Sequence, residues 1–249
     1  MLKILTWMVL IAFLPLKLTA KELSFATQQF APFSFEIGGE IHGPMPEIVR
    51  SACELSKISC DLKLLPWPRA QKYVYFGVIN GMFPIGWTEK RAARLYFSEP
   101  ILSTEYGLFV KEDSKLVMTE KTDLSGLTIG AYGPSNTSRS LIKLTKDMKN
   151  VKLDITPHDE FPFKKLAVGR VDAVYSNKNV GEALIAKLGL NNIKYAGRHR
   201  TLDYYIGISK KHTDENLARE FFATIVLMKE KGVIRNILSG YTMDEALAK

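Results

Sequence analysis

Arg91 is the residue of this chain whose type and position could do the most chemistry. It follows the apolar stretch "GMFPIGW" at positions 81–87 and precedes a second apolar run that ends in "FSEP" at positions 97–100. A guanidinium group carries a planar fork of donors, which suits bidentate pairing with a carboxylate. Two interpretations are open. Arg91 either covers a helix end in solvent, or it faces a cleft and binds an anion.

A second candidate for anion binding is the stretch "GPSNTS" at positions 133–138. It follows a strand-like segment and opens a helix-like one, and a helix start offers free backbone N–H groups and the positive end of the helix dipole. Ser135 could simply cap the helix, which would explain one hydroxyl but not the cluster. We therefore predict that Ser135, Asn136 and Thr137 contact an anionic group.

Composition and other motifs exclude several function classes. The 34 Lys and Arg residues outnumber the 26 Asp and Glu residues and give a net charge of +8, but they are scattered and form no nucleic-acid-binding motif. The chain lacks G-x-S-x-G, H-E-x-x-H and a glycine-rich phosphate loop, and its four histidines lie far apart. We expect no cofactor, no metal site, no nucleic-acid partner and no enzymatic activity.

Residues 1–20 have the features of a secretory signal peptide. Lys3 precedes a short apolar run over residues 4–16, and a small residue, Ala20, ends the segment. The run is too short for a membrane span. We predict cleavage after Ala20 and export of a soluble protein to the periplasm.

Cys53 and Cys60 are the only cysteines of the chain. In an oxidising compartment an even pair at close spacing favours a disulfide, which here would tie a helix end to the next strand. A metal site would need two further ligands nearby, and the sequence offers none.

Strand-like and helix-like segments alternate along the chain, which is typical of α/β proteins with parallel sheets. The alternation restarts near residue 124. We predict two similar α/β halves rather than one sheet, each a mostly parallel sheet flanked by helices. Extended crossings at 105–113 and 200–209 would form a hinge. Lobe 1 is expected over residues 21–108 and 206–249, and lobe 2 over residues 109–205.

The chain resembles the family 3 extracellular solute-binding proteins, which are the polar amino-acid receptors of bacterial ABC importers. The resemblance covers essentially all of the chain after residue 20. It rests on a series of motifs in the family's order: "FAPFSF" (30–35), "PWPRA" (66–70), "TEKRAARLYFSEP" (88–100), "DLSGLTIGAYGPSNT" (123–137), "LAVGRVDAVYSN" (166–177) and "LMKEKGVIRNILSGY" (227–241). The cysteine pair is similar to a bridge found in some members. The resemblance implies the two-lobed type II periplasmic binding fold.

The resemblance also implies roles for residues in the cleft. Arg91 matches the arginine that grips the ligand's α-carboxylate, and Ser135 matches a carboxylate-binding hydroxyl of the second lobe. Phe30 matches an aromatic residue that covers the ligand. Gly86, Trp87 and Trp67 are placed at the cleft, although Phe30 and Trp67 could equally be core residues. Arg69 could be a second anion contact or could pin a strand end.

Asn177 is the main departure from the family pattern. Family members carry there the carboxylate that pairs with the ligand's α-ammonium, and an amide cannot neutralise a cation. Glu182 and Asp172 are the nearest acids in sequence, and Asp172 is better explained as capping a strand entry. We keep Asn177 as a ligand-binding residue and leave the identity of the ligand open.

The sequence therefore predicts a monomeric periplasmic protein that binds a small carboxylate-bearing solute and delivers it to an ABC permease in the inner membrane. Two alternatives remain on the same fold. One is a ligand-sensing receptor for a membrane signalling protein. The other is a dehydratase that uses a carboxylate in the cleft.

Overall fold

The computed structural model describes residues 21–119 and 121–247. The predicted signal peptide, residues 1–20, lies outside the described residues. Within the described part, no helix combines the length and the apolar character that crossing a membrane requires.

The chain begins with a βαβαβ arrangement, as the sequence predicts, with one additional short hairpin. The elements up to the first crossing are β1 (Glu22–Thr27), β2 (Phe35–Ile37), β3 (Glu40–His42), α1 (Pro44–Ser56), β4 (Ser59–Leu64), α2 (Trp67–Tyr75), β5 (Gly81–Gly86), α3 (Glu89–Ala92), β6 (Leu95–Phe97) and β7 (Leu102–Lys111). Prolines occupy the first turn of α1, where a missing N–H costs nothing. Lys57 ends that helix in the left-handed conformation.

The alternation restarts after β7, again as predicted. The remaining elements are β8 (Thr128–Tyr132), α4 (Asn136–Thr145), β9 (Lys152–Thr156), α5 (Glu160–Ala167), β10 (Ala173–Asn177), α6 (Lys178–Leu188), β11 (Ile193–Ser209), α7 (Glu215–Glu230) and α8 (Val233–Ser239). The mixed α/β fold class expected from the sequence is confirmed.

The main sheet is one continuous hydrogen-bonded path, in the order β4-β1-β5-β11-β7-β10-β8-β9. Neighbours are parallel within β4-β1-β5 at one end and within β10-β8-β9 at the other. The joins through β11 and β7 are antiparallel. The expectation of a separate sheet in each half differs from this path, because the two hinge crossings are regular strands that pair with each other from Ile193–Lys111 to Tyr204–Leu102.

Three apolar clusters fill the molecule around this sheet. The largest includes Phe25 and Phe221 from one half and Phe163 from the other. A second lies around Leu108 and Ile129, and a third surrounds Trp67 and Met82. The lobe boundaries predicted from the sequence remain a proposal.

Cys53 and Cys60 form a disulfide with their Cα atoms 6.1 Å apart. The bridge joins the last turn of α1 to β4 and encloses the left-handed turn at Lys57. It therefore fixes the angle at which α1 returns to the edge of the sheet, at the end of lobe 1 away from β11.

Candidate functional site

A small cavity of about 30 Å³ lies where the end of β5, the start of α4 and the central strands meet. Its lining joins both halves of the chain and consists of Gln28, Phe30, Trp67, Pro84, Ile85, Gly86, Arg91, Tyr106, Tyr132, Ser135, Asn136, Thr137 and Tyr204. We call it the inner cavity. Seven of the ten candidate residues from the sequence analysis are among these. Gly86 and Asn136 face each other across the cavity, since a Cβ atom on Gly86 would lie 3.0 Å from Nδ2 of Asn136.

Arg91 lies in the short helix α3 and is only 5% exposed. Thr88 caps this helix by accepting a hydrogen bond from the Arg91 N–H at 3.2 Å. The guanidinium donates to the Gly86 carbonyl at 2.8 Å and to Oε1 of Gln71 at 3.4 Å. It also lies 5.5 Å from the ring centroid of Trp67.

No carboxylate forms an ion pair with Arg91 among the described residues. Burial lowers the pKa of Arg91, and the neighbouring Arg139 lowers it further. The groups around the guanidinium are a carbonyl, an amide and a ring, none of which carries a negative charge, so an anion in the cavity would supply the missing countercharge. The site can therefore bind a carboxylate.

The hydroxyl group of Ser135 has a structural role, because it caps helix α4. Its Oγ accepts from the Ser138 N–H at 3.2 Å and donates to the Tyr132 carbonyl at 2.7 Å. The Ser135 N–H in turn donates to Oγ of Ser138 at 3.1 Å, which completes a capping box. Asn136 and Thr137 occupy the first turn of α4, where backbone N–H groups have no intrahelical acceptor.

Two tyrosines that the sequence analysis missed form the floor of the inner cavity. Tyr106 comes from β7 and Tyr204 from β11, and both are buried. Burial raises the pKa of each phenol, so both present neutral hydroxyl groups at neutral pH. Phe30 packs against Tyr204 with ring centroids 5.9 Å apart.

Asn177 ends β10 and caps α6, and it is 2% exposed. Its Oδ1 accepts from the Val180 N–H at 3.2 Å. Its Nδ2 donates to Oγ1 of Thr104 at 2.9 Å and to the Tyr204 hydroxyl at 3.4 Å. Both amide hydrogens are thus used within the fold, and Asn177 contributes to the wall of a second cavity rather than to the inner cavity.

The second cavity, of about 20 Å³, shares the side chains of Phe30, Tyr132 and Thr137 with the inner cavity. Asp159, which precedes α5, is the acidic residue among its lining. Sequence reasoning missed this acid and considered Glu182 and Asp172 instead. Glu182 is exposed, and Asp172 accepts from the Thr128 N–H at 2.7 Å at a strand entry.

Two predicted residues lie away from both cavities. Trp87 is 54% exposed and lines a wider outer groove of about 990 Å³, together with Arg139, Lys143 and Arg200. Arg69 is exposed in the first turn of α2 and does not line the inner cavity. Whether either residue contacts a ligand remains a prediction.

Known proteins resemble this chain in sequence and in fold. The model of the bacterial extracellular solute-binding proteins, family 3, matches residues 23–244. No curated protein sequence matches the chain. No metal-binding group of three or more His, Cys, Asp or Glu side chains occurs in the residues that the structure covers.

Several solved structures share the fold at low sequence identity. A histidine kinase sensor domain with similarity to periplasmic binding proteins has a TM-score of 0.80 at 20% identity, covering 92% of this chain and 98% of its own. An ancestral arginine-binding protein bound to arginine has a TM-score of 0.77 at 22% identity, covering 88% and 97%. The substrate-binding protein of an amino acid ABC transporter has a TM-score of 0.73 at 19% identity, covering 88% and 98%.

Proposed function

Because the chain belongs to the bacterial extracellular solute-binding proteins of family 3, we propose that it captures a small carboxylate-bearing solute, an amino acid or a related compound, in the cleft between its two lobes. The observation that carries this proposal is the buried guanidinium of Arg91. It faces a cavity built from both halves of the chain and has no carboxylate partner among the residues described.

The ligand carboxylate would occupy the space between Arg91 and the first turn of α4. Arg91 would donate charge-assisted hydrogen bonds from its guanidinium group. The backbone N–H groups of Asn136 and Thr137, in the second lobe, would donate further hydrogen bonds to the same carboxylate. Since the two contributions come from different lobes, full binding would require both to meet around the ligand. Hinge closure of this kind is the usual device of periplasmic receptors.

Delivery to an ABC permease from the periplasm is the biological role that we propose. The family is extracellular, and the predicted signal peptide supports export. The similarity to the substrate-binding protein of an amino acid ABC transporter supports an importer as the partner. We propose that the protein acts as a monomer and that the solute is its small-molecule partner.

A sensing role is the second candidate, and the similarity to a histidine kinase sensor domain favours it. The two roles share one ligand site and differ in the membrane partner. Crosslinking in intact cells followed by mass spectrometry would identify a permease in the first case and a signalling protein in the second. The dehydratase alternative is weaker, because Asn177 is an amide engaged in capping α6.

The carboxylate grip is tested by replacing Arg91 with Ala and with Lys. Removing one partner of a buried, hydrogen-bonded charge pair costs about 2 to 5 kcal/mol, so Arg91→Ala should weaken binding at least about 30-fold. Lys keeps the charge but loses the fork, so it should give an intermediate loss. Ligands would be found by a thermal-shift screen of amino acids, dipeptides and organic acids, and affinities measured by calorimetry.

Arg94→Ala is the matched control. Arg94 lies three positions further on, is exposed, and stacks on Tyr75 with its guanidinium carbon 5.3 Å from the ring centroid. The Arg94→Ala variant should bind the same ligands as tightly as the wild type does. Circular dichroism would confirm that each variant is folded. If folded Arg91→Ala binds the same carboxylates as tightly as the wild type, the proposal is wrong.

A further inference from the structure

Asp159 is a carboxylate that lines a cavity and forms no ion pair among the described residues, its hydrogen-bonding neighbours being the backbone N–H groups of Asp159 itself and of Glu160. It occupies the N-cap position of α5, yet its side chain makes no capping hydrogen bond. It is partly buried and faces the second cavity, opposite a wall that includes Phe30 and Asn177. No ion pair joins it to a cation in the part of the chain that the structure describes.

The cations near the start of α5 are already paired with the neighbouring residue. Glu160 accepts from Nζ of Lys164 at 2.7 Å and from Nζ of Lys187 at 2.9 Å. Burial raises the pKa of Asp159, and the negative charge of Glu160 raises it further. The charged form of Asp159 is therefore disfavoured in the unliganded protein and would be stabilised by a cation placed in the cavity.

The lining of the second cavity suits an ammonium or a guanidinium group. Aromatic rings of Phe30, Tyr132 and Phe163 line it, and a cation over a desolvated aromatic face is attracted by the ring quadrupole. The hydroxyl of Thr137 and that of Ser176 add hydrogen-bond acceptors. Lys and Arg are not among its lining residues.

The second cavity and the inner cavity adjoin along one wall. Phe30, Tyr132 and Thr137 line both, so one small molecule can extend from one to the other once the lobes separate. Its negative end would lie at Arg91 in the inner cavity. Its other end would then reach the carboxylate of Asp159.

We infer that Asp159 binds a cationic group of the same solute whose carboxylate Arg91 holds, and that the solute is a zwitterion with separated charges. The inference rests on the proposed carboxylate grip. It assigns the cation-binding role to the start of α5 instead of to the end of β10, where the amide hydrogens of Asn177 are used by Thr104 and Tyr204.

The test compares carboxylates that carry a cationic group with matched carboxylates that lack one. The pairs are L-alanine and β-alanine with propanoate, 4-aminobutanoate with butanoate, 5-aminopentanoate with pentanoate, and 6-aminohexanoate with hexanoate. Affinities are measured by calorimetry for the wild type and for Asp159→Asn. Asn preserves the shape of the side chain, and no capping hydrogen bond is lost.

In the wild type we expect at least one amino compound to bind about tenfold or more tightly than its matched acid, since a charge pair near a protein surface is worth several kcal/mol. Asp159→Asn should abolish this preference while leaving the affinity for the plain acid unchanged. Glu160→Gln is the control, because it removes an adjacent negative charge that is already paired, and it should keep the preference.

Two results would overturn the inference while leaving the carboxylate grip intact. One is a wild type that binds the plain acids in an Arg91-dependent manner without preferring any amino compound. The other is an Asp159→Asn variant that keeps the preference. If no member of any pair binds, the carboxylate grip itself fails, and the cation site falls with it.

Discussion

Arg91 and Asp159 are two buried or partly buried charged groups that form no ion pair among the residues the structure describes. Arg91 has a carbonyl, an amide and an indole around it, and Asp159 has aromatic rings and hydroxyls. Each therefore lowers the stability of the unliganded protein, and a ligand that supplies the opposite charge would restore what is lost. Perturbed charges of this kind are typical of functional sites.

The cost of Asp159 can be measured as a dependence of stability on pH. Its pKa in the folded protein is raised above the unfolded value, so its contribution is most favourable below about pH 4 and is lost as the pH rises through the folded pKa. Asp159→Asn should therefore melt about 1 to 3 °C above the wild type at pH 7. Near pH 3 the two should melt together.

Glu160 provides a comparison of opposite sign in the same measurement. Lys164 and then Lys187 lower the pKa of Glu160 to about 2. Its stabilising contribution is present above about pH 4 and is lost as the pH falls toward 2. Glu160→Gln should therefore melt below the wild type at pH 7. If Asp159→Asn also melts below the wild type at pH 7, the ionised carboxylate of Asp159 stabilises the unliganded fold. That result would contradict the inference that Asp159 lacks a cationic partner there.

Part of the site could be predicted from sequence because its residues lie in local motifs. Arg91 follows a strand and a capping threonine, and Asn136 and Thr137 open a helix. Tyr106, Tyr204 and Asp159 carry no such local signal. The two tyrosines come together because β7 and β11 pair in the sheet, and Asp159 joins the second cavity because α5 packs against β8 and β10. These are long-range contacts that no short pattern encodes.

At the scale of elements, the sequence predicted the alternation of strands and helices. It also placed the two crossings at 105–113 and 200–209, which fall on β7 (Leu102–Lys111) and β11 (Ile193–Ser209), but not the extent or the pairing of these strands. The parallel strands are short apolar runs between turn signals. In contrast, β11 is mostly half-buried or exposed over its first eleven residues, in no regular order, and is buried in its last six residues. Its pairing partner changes along its length, from β7 to β5. A strand that pairs with different strands along its length has no single hydrophobic periodicity in its sequence.

The disulfide between α1 and β4 is an element-scale constraint with a measurable effect. In the chain-entropy model a loop of this length contributes about 2.5 kcal/mol, which corresponds to roughly 5 to 10 °C in melting temperature. The double variant Cys53→Ser with Cys60→Ser should therefore melt lower by that amount and should still bind ligand. The bridge lies at the start of the edge strand β4, whereas Arg91 follows the end of β5, so the two lie at opposite ends of parallel strands.

Calorimetric binding and thermal melting of the double variant, each compared with the wild type, would check both parts. Reductant should lower the melting temperature of the wild type but not that of the variant. An unchanged melting temperature would mean that the disulfide does not contribute to the free energy of unfolding. A loss of binding would mean that the edge of lobe 1 influences the cleft.

For the whole molecule, the inner cavity of the described conformation is too small to enclose a solute. The inner cavity measures about 30 Å³, whereas ligand sites typically enclose about 300 to 1,000 Å³. Gly86 and Asn136 meet across the cleft at close range. If solute binds in the inner cavity, as we propose, we expect the two halves of the chain to separate before it enters.

A crosslink between the lobes tests this requirement. The double variant Gly86→Cys with Asn136→Cys should form a disulfide under oxidising conditions, and calorimetry should then detect no carboxylate binding. Each single variant should bind in the same conditions, apart from any loss due to its own side chain. Reduction should restore binding to the level expected from the two single variants. Unimpaired binding by the crosslinked form would show that solute enters without separation of the lobes.

The position of β11 beside β5 also decides when the protein can finish folding during its synthesis. Residues 81–86 leave the ribosome well before residues 193–209. During that interval one edge of β5, whose six residues are all buried in the folded protein, has no partner strand. Open strand edges of this kind pair readily with other chains. If the chain is exported as proposed, we expect a holding chaperone to cover β5 until secretion, since the strand has no partner on that edge before β11 is made.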